Sequence, residues 1–195
     1  MAWNREHVNP DKRVGARLGP DNTDDRQTQE TALAWSIIAM RETTERLGKV
    51  RARDRPQAFA VIGEAVWWVT IVDATLVRYY PEAYDRALAA LPGAQRPVTE
   101  GTFAGLRYVR NRMGYYADHS DFIQPLAEAD GDHDAPITDW TWKALPEPCV
   151  ESMAPRGQAW EMSRYRAYQD RLAGHTVGET FQRAAVFLML SVRLN

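Results

Sequence analysis

The run from Phe59 to Val77 constrains this chain more than any other feature. Phe59, Ile62, Val66, Trp67, Trp68, Val69, Ile71, Val72, Leu76 and Val77 leave it almost no polar face. A helix that is apolar nearly all round has to be enclosed by others, so a central bundle helix is predicted, with Ile62, Val66, Trp67, Val69 and Leu76 buried. Pro56, after the charged connector Arg51 to Arg55, suits its first turn. The strongly apolar part, Ala65 to Val77, is interrupted by Asp73 and is short for a bilayer span, so no membrane segment is expected. With 195 residues, 45% hydrophobic and 26% charged, the chain has about one domain's length and a globular composition. Cys149 is the single cysteine and the N-terminus has no signal-type apolar run, so a cytoplasmic protein without an intramolecular disulfide is expected.

Helical periodicity places the remaining elements around that helix. Residues 1–22 contain Pro10, Gly15, Gly19 and Pro20 without a periodic apolar pattern and read as an N-terminal arm, leaving 23–195 as a single helical domain. Leu33, Ile37, Met40 and Leu47, with Thr44 between, give a first long helix capped at Thr23 or Asp24. Pro81 opens a short helix through Leu91, and Pro92-Gly93 ends it. Thr99 is placed to cap a fourth helix, Glu100 to Ala117, with Phe103, Leu106, Val109 and Met113 inward. Residues 118–155 read as a long loop excursion on the surface, with a short strand or hairpin near Ile137, Asp139, Trp140 and Trp142. Gln158 to Leu172 is helical again, Gly174 closes it, and the capping signature Thr176-Val177-Gly178-Glu179 precedes a last helix, Phe181 to Leu194. The fold class is therefore all-α, a bundle of five or six helices. Trp67, Trp68, Trp140, Trp142 and Trp160 read as core and interface anchors.

Net charge is −2, which argues against a protein that coats nucleic acid by bulk positive charge. Its distribution is uneven. Asp118 to Glu151 holds nine acids against Lys143, whereas Arg41 to Arg55 and Gly101 to Ala117 are cationic patches. Leu106 to His119 stands apart, with three arginines, an amide, two consecutive tyrosines and a histidine. On a helix, Arg112, Tyr115, Tyr116 and His119 fall at i, i+3, i+4 and i+7, and Arg107, Arg110, Asn111 and Gly114 form the neighbouring stripe. An arginine fork beside a group titrating near neutrality suits phosphodiester cleavage: arginine neutralises the developing charge and histidine moves protons. The plain alternative is a solvated arginine face, packing tyrosines and a histidine at a helix C-terminus. Glu64 and Asp73, carboxylates in an otherwise apolar helix, need partners, expected among these arginines.

The segment Arg110-Asn111-Arg112-Met113-Gly114-Tyr115-Tyr116-Ala117-Asp118-His119 resembles the HEPN superfamily, small all-α proteins whose motif is an Arg, usually followed by a polar residue, four to six positions before a His. Two alignments are open. Arg110-Asn111 matches the Arg-polar start but meets Tyr115 or Tyr116 where histidine is expected; Arg112 reaches His119 but is followed by Met113. The resemblance covers Pro56 to His119. It implies a metal-independent endoribonuclease whose motifs pair across a homodimer, acting as a toxin or in antiviral defence. The alternative it also implies is a non-catalytic interaction module in a toxin–antitoxin or defence complex. In the first case Arg110, Arg112, Asn111 and His119 are catalytic, and Arg107, Tyr115 and Tyr116 bind the RNA. A lone His and its arginines form an incomplete acid/base set, so a homodimer is expected, with Trp140 and Trp142 as interface anchors.

A third class is a metal-dependent hydrolase on the acidic loop, where Asp118, His119, Ser120, Asp121, Asp130, Asp132, His133 and Asp134 gather. These residues lack calcium-loop or helical zinc spacing, so no metal or cofactor is expected, and the loop reads as solvated or as a phosphate mimic over the arginines. Cys149 has no base nearby in sequence to make it a nucleophile.

Overall fold

The central helix begins where its cap dictates. The Asp54 carboxylate accepts the Gln57 backbone N–H at 3.3 Å, and Pro56 sits in the first turn, where no N–H partner is needed. The computed structural model describes residues 23–50, 54–115, 122–126, 140–148 and 154–194; the N-terminal arm over 1–22 lies outside them. Among the described residues the order is α1 (Thr23–Leu47), α2 (Arg55–Tyr79), α3 (Pro81–Ala90), α4 (Gln95–Tyr115), β1 (Ile123–Pro125), β2 (Trp140–Trp142), α5 (Pro155–Arg171) and α6 (Val177–Arg193). The fold is an all-α bundle with one small sheet.

Helix α2 is packed by α1, α3, α4 and α6, and Ile62, Val66, Val69, Val72 and Leu76 are buried. Trp67, expected in the core, is instead 52% exposed. The reason is geometric: neighbours leave one narrow strip of α2 uncovered, and Ala60, Trp67 and Ala74, seven residues apart, lie along it. All-round apolarity marks which residues avoid water, not which ones a neighbour covers. The helix has 25 residues and is long and apolar enough to cross a membrane by length and composition alone, contrary to the expectation drawn from Ala65–Val77. Half of its most apolar window is buried inside the bundle, as in a core helix.

Helix α4 starts at Gln95 rather than Glu100, so Thr99 is an interior residue and Pro97 falls in the first turn, where it is tolerated. It runs antiparallel to α5 and close to it. A Cβ on Gly101 would stand 2.8 Å from Arg171 Cγ, and one on Gly105 would stand 2.7 Å from Leu172 Cδ1 and 3.2 Å from the Tyr168 Cα. Two absent side chains let the helices meet at backbone range. Just beyond this end of α5, Gly174 takes φ +80° and Thr176 caps α6, accepting the Glu179 N–H at 3.3 Å.

The described part of the 118–155 excursion has the expected short strand at Trp140–Trp142 and an irregular run after it, but its strands lie in the core rather than on the surface. Strands β1 and β2 pair antiparallel, Ile123 opposite Trp142 and Pro125 opposite Trp140, and Phe122, Ile123, Trp140 and Trp142 are buried. Strand β2 also joins the α5–α6 turn: the Gly174 N–H donates to the Trp142 carbonyl at 2.8 Å and the Trp142 N–H to the His175 carbonyl at 3.1 Å. Beyond β2, Tyr168 and Tyr165 hydroxyls donate to the Lys143 and Leu145 carbonyls at 2.6 and 2.9 Å, pinning the chain along α5. Trp140 and Trp142 therefore belong to the chain's own core and are not available as dimer anchors.

These two tryptophans differ in one bond. Trp142 Nε1 donates to Thr180 Oγ1 at 3.0 Å, whereas Trp140 Nε1 is buried without a partner among the described residues. Trp142→Phe is expected to lower unfolding free energy by about 1 kcal/mol more than Trp140→Phe, measured by urea titration, since only the former breaks a hydrogen bond.

Candidate functional site

Helix α4 lies between α2 and α5, and its arginines divide between them. Arg107 faces α2, where Asp73 is fully buried. Its Nη2 pairs with the Asp73 carboxylate, whose other oxygen accepts the Tyr84 hydroxyl of α3 at 2.9 Å. Burial works against the Arg107 charge, but Asp73 and Tyr84 outweigh it and hold the guanidinium above its ordinary pKa. Burial and then the Asp73 charge push the Tyr84 phenol well up, keeping it a neutral donor. One turn on, Arg110 Nη1 donates to Thr70 Oγ1 of α2 at 3.5 Å.

Arg112 turns the other way. Its Nε lies 3.4 Å from Glu161 Oε1 of α5, and its guanidinium sits 5.4 Å from the Tyr108 ring centroid. Tyr108 in turn packs on Tyr165 and Tyr168, ring centroids 5.9 and 5.6 Å away. Glu161 is buried, so its charge needs that arginine. Glu64 pairs with Arg46 of α1, not with a motif arginine as expected, because it lies on the α1 side of α2, where it also accepts from Thr43 at 3.2 Å. The Arg46 hydrogen bond lowers the Glu64 pKa against a smaller opposing effect of burial.

Arg164 of α5 completes the seam. It stacks 3.5 Å from the Trp160 ring centroid, one turn away on the same helix. Burial, then repulsion by Arg107 and Arg110, pulls its guanidinium down to about 9; attraction by Glu161 and Asp73 is weaker than that repulsion. Arg164 stays cationic at neutral pH, between the arginines of α4 and the carboxylates of Glu161 and Asp73.

The structure thus gathers Arg107, Arg110 and Arg112 with Asn111 half-buried beside them, and adds Arg164 and Glu161, which the sequence reading missed. A signal for Glu161 was present: it falls in the inward row Glu161, Tyr165, Tyr168, Leu172 of α5, a carboxylate among apolar positions like Asp73 in α2. Of the tyrosines, Tyr115 closes α4 and only its backbone is described; Tyr116 and His119 lie outside the described residues, as do Cys149 and the acidic-loop positions 118–121, 130, 132, 133 and 134. Among the described residues no group of three or more His, Cys, Asp or Glu is placed to hold a metal ion. The class that fold and site define is an all-α bundle with a half-buried arginine seam. Comparison with protein-family models, curated proteins and solved structures finds no match for the chain.

Two outcomes follow from this geometry. Asp73→Ala strands Arg107 in the interior and is expected to cost about 3–5 kcal/mol in urea unfolding, whereas Asp73→Leu with Arg107→Met recovers most of that loss. At fixed ionic strength, phosphate is expected to raise Tm above its value in chloride, because an anion relieves the repulsion at Arg164. Arg164→Gln should raise Tm in chloride and abolish the phosphate increment; an equal increment in both proteins would mean general salt exclusion from the surface.

Proposed function

We propose that this chain is a metal-independent endoribonuclease of HEPN type that works as a homodimer. The observation that supports it is the placing of Arg107 and Arg110 on the α2 side of α4, and of Arg164 on α5 one turn from Glu161, the partner of Arg112, within reach of the charges of both arginines. Such a seam binds a phosphodiester and stabilises the charge that grows on its non-bridging oxygens. In this reading Arg110 and Arg164 hold the phosphate and Asn111 orients it. His119 takes the proton of the 2′-hydroxyl, whose oxygen attacks phosphorus. The 5′-oxygen leaves with a proton from the histidine of the second protomer, giving a 2′,3′-cyclic phosphate and a free 5′-hydroxyl. Arg107 and Arg112 act as positioning residues through Asp73 and Glu161, an assignment narrower than the motif alone implies.

A second reading has its own support. Because Arg107 and Arg112 are both engaged by carboxylates of this chain, the arginine helix also suits a non-catalytic HEPN-like module in a toxin–antitoxin or defence complex.

Incubation with single-stranded RNA in excess chelator separates the two. Cleavage leaving cyclic-phosphate ends is expected, with Arg110→Ala and His119→Ala each lowering turnover about 100-fold or more. Arg112→Ala should lower stability first, since it leaves Glu161 buried without its cation. Intact RNA with wild-type protein, together with loss of a protein partner in Arg110→Ala, would replace the enzyme by the interaction module.

A further inference from the structure

Two exposed tryptophans stand on either side of the arginine seam. On α2, Thr70, which reaches Arg110, donates its hydroxyl to the Trp67 carbonyl at 3.0 Å. One turn before Trp67, a Cβ on Gly63 would stand 2.6 Å from Met113 Cε of α4. Trp67 therefore sits between two points where α2 touches α4, at the level of Arg110 to Met113, with half its surface in solvent. On α5, Trp160 is 37% exposed and adjoins Glu161, the partner of Arg112, so it reaches the same level of α4 from the opposite side. Neighbouring helix axes lie about 8–10 Å apart, which puts the two indoles roughly two such spacings apart with the arginines between them.

A single exposed indole is ordinary on a protein surface, and Trp35 of α1 is one, but here two of them flank a cationic strip. Phosphate binding alone uses neither. Unpaired nucleobases use both, because each presents a π-face to stack on an aromatic ring while its phosphates follow the arginines. In a duplex those faces are already stacked on one another. The Arg164 guanidinium against Trp160 is the same geometry in miniature, a planar cation laid on the indole where a base can continue the stack.

We propose that Trp67 and Trp160 are base-stacking platforms that make the arginine seam selective for single-stranded nucleic acid over duplex; this rests on the phosphate-binding reading of the seam. The strand crosses α4, with one base on each indole and the intervening phosphates on Arg110 and Arg164.

The test measures equilibrium binding of three probes of equal charge to the full chain: oligodeoxyadenylate, which lacks the 2′-hydroxyl and is not cut, a duplex of half that length with the same number of phosphates, and an abasic oligomer of the full length. The base-bearing single strand is expected to bind about ten-fold or more tighter than the abasic one, with quenching of tryptophan fluorescence, and the duplex to bind weaker than the single strand. Trp67→Leu and Trp160→Leu should each cost about ten-fold for the base-bearing strand and leave abasic binding unchanged, while Trp160→Tyr retains affinity. Arg110→Gln and Arg164→Gln should weaken both. Equal binding of abasic and base-bearing strands, a preference for duplex, or Leu variants that bind normally would overturn the stacking proposal and leave phosphate binding intact. If no probe binds wild-type protein, the phosphate-binding reading falls and takes the platforms with it.

Discussion

One buried carboxylate ties three helices together. Asp73 of α2 accepts from Arg107 of α4 and Tyr84 of α3, in a place without water to replace either donor. Removing such charges from water is expensive, so the group contributes register more than net stability: sliding α4 by one turn, about 5.4 Å, would leave an ion unpaired in the core. That register decides where every other arginine falls. With Arg107 fixed on Asp73, Arg110 arrives at Thr70, and Arg112 is turned toward Glu161 of α5.

The arginine helix holds to both of its neighbours with the same residue type. Arg107 and Arg112 each answer a buried acid, Arg110 reaches Thr70 of α2, and Arg164 of α5 lies on Trp160 within reach of the charges on Arg107 and Arg110. Arg164 holds its charge there against burial and the repulsion of Arg107 and Arg110, with the Trp160 ring and the Glu161 and Asp73 carboxylates acting in its favour.

Much of this was legible in the residues and some of it was not, for identifiable reasons. Periodicity located the helices because a row such as Leu33, Met40 and Leu47 repeats with the helical turn and is buried accordingly. The Thr176 cap was legible because a cap is a local bond between near neighbours. Trp67 was misplaced because hydrophobicity does not say which strip of a helix its neighbours leave uncovered. Trp140 and Trp142 were rightly read as core residues but wrongly offered as dimer anchors, because strand β2 pairs with β1 and, through Trp142, with the α5–α6 turn, contacts between distant segments that no local pattern encodes. The three-arginine cluster was visible, but its electrostatic balance depends on Arg164, more than fifty residues further along, which only the antiparallel approach of α5 brings near. Asp73 was recognised as needing a partner; Glu64 obeyed the same rule with a different arginine, because a charge in an apolar row announces that it is paired without naming the face from which its partner comes.

The close approach of α4 and α5 at Gly101 and Gly105 has a temporal side. Arg164 and Trp160 belong to α5, which docks against these glycines while its own C-terminal turn is bonded to β2, about thirty residues upstream. Contacts of such sequence separation form late, after the local helices have paid their ordering entropy. A chain emerging from the ribosome thus carries the arginine helix long before it carries the partner that completes the seam. Until the last two helices are synthesised and docked, α4 has Arg112 without its acid and no second wall, so the assembled cationic strip belongs only to the finished protein.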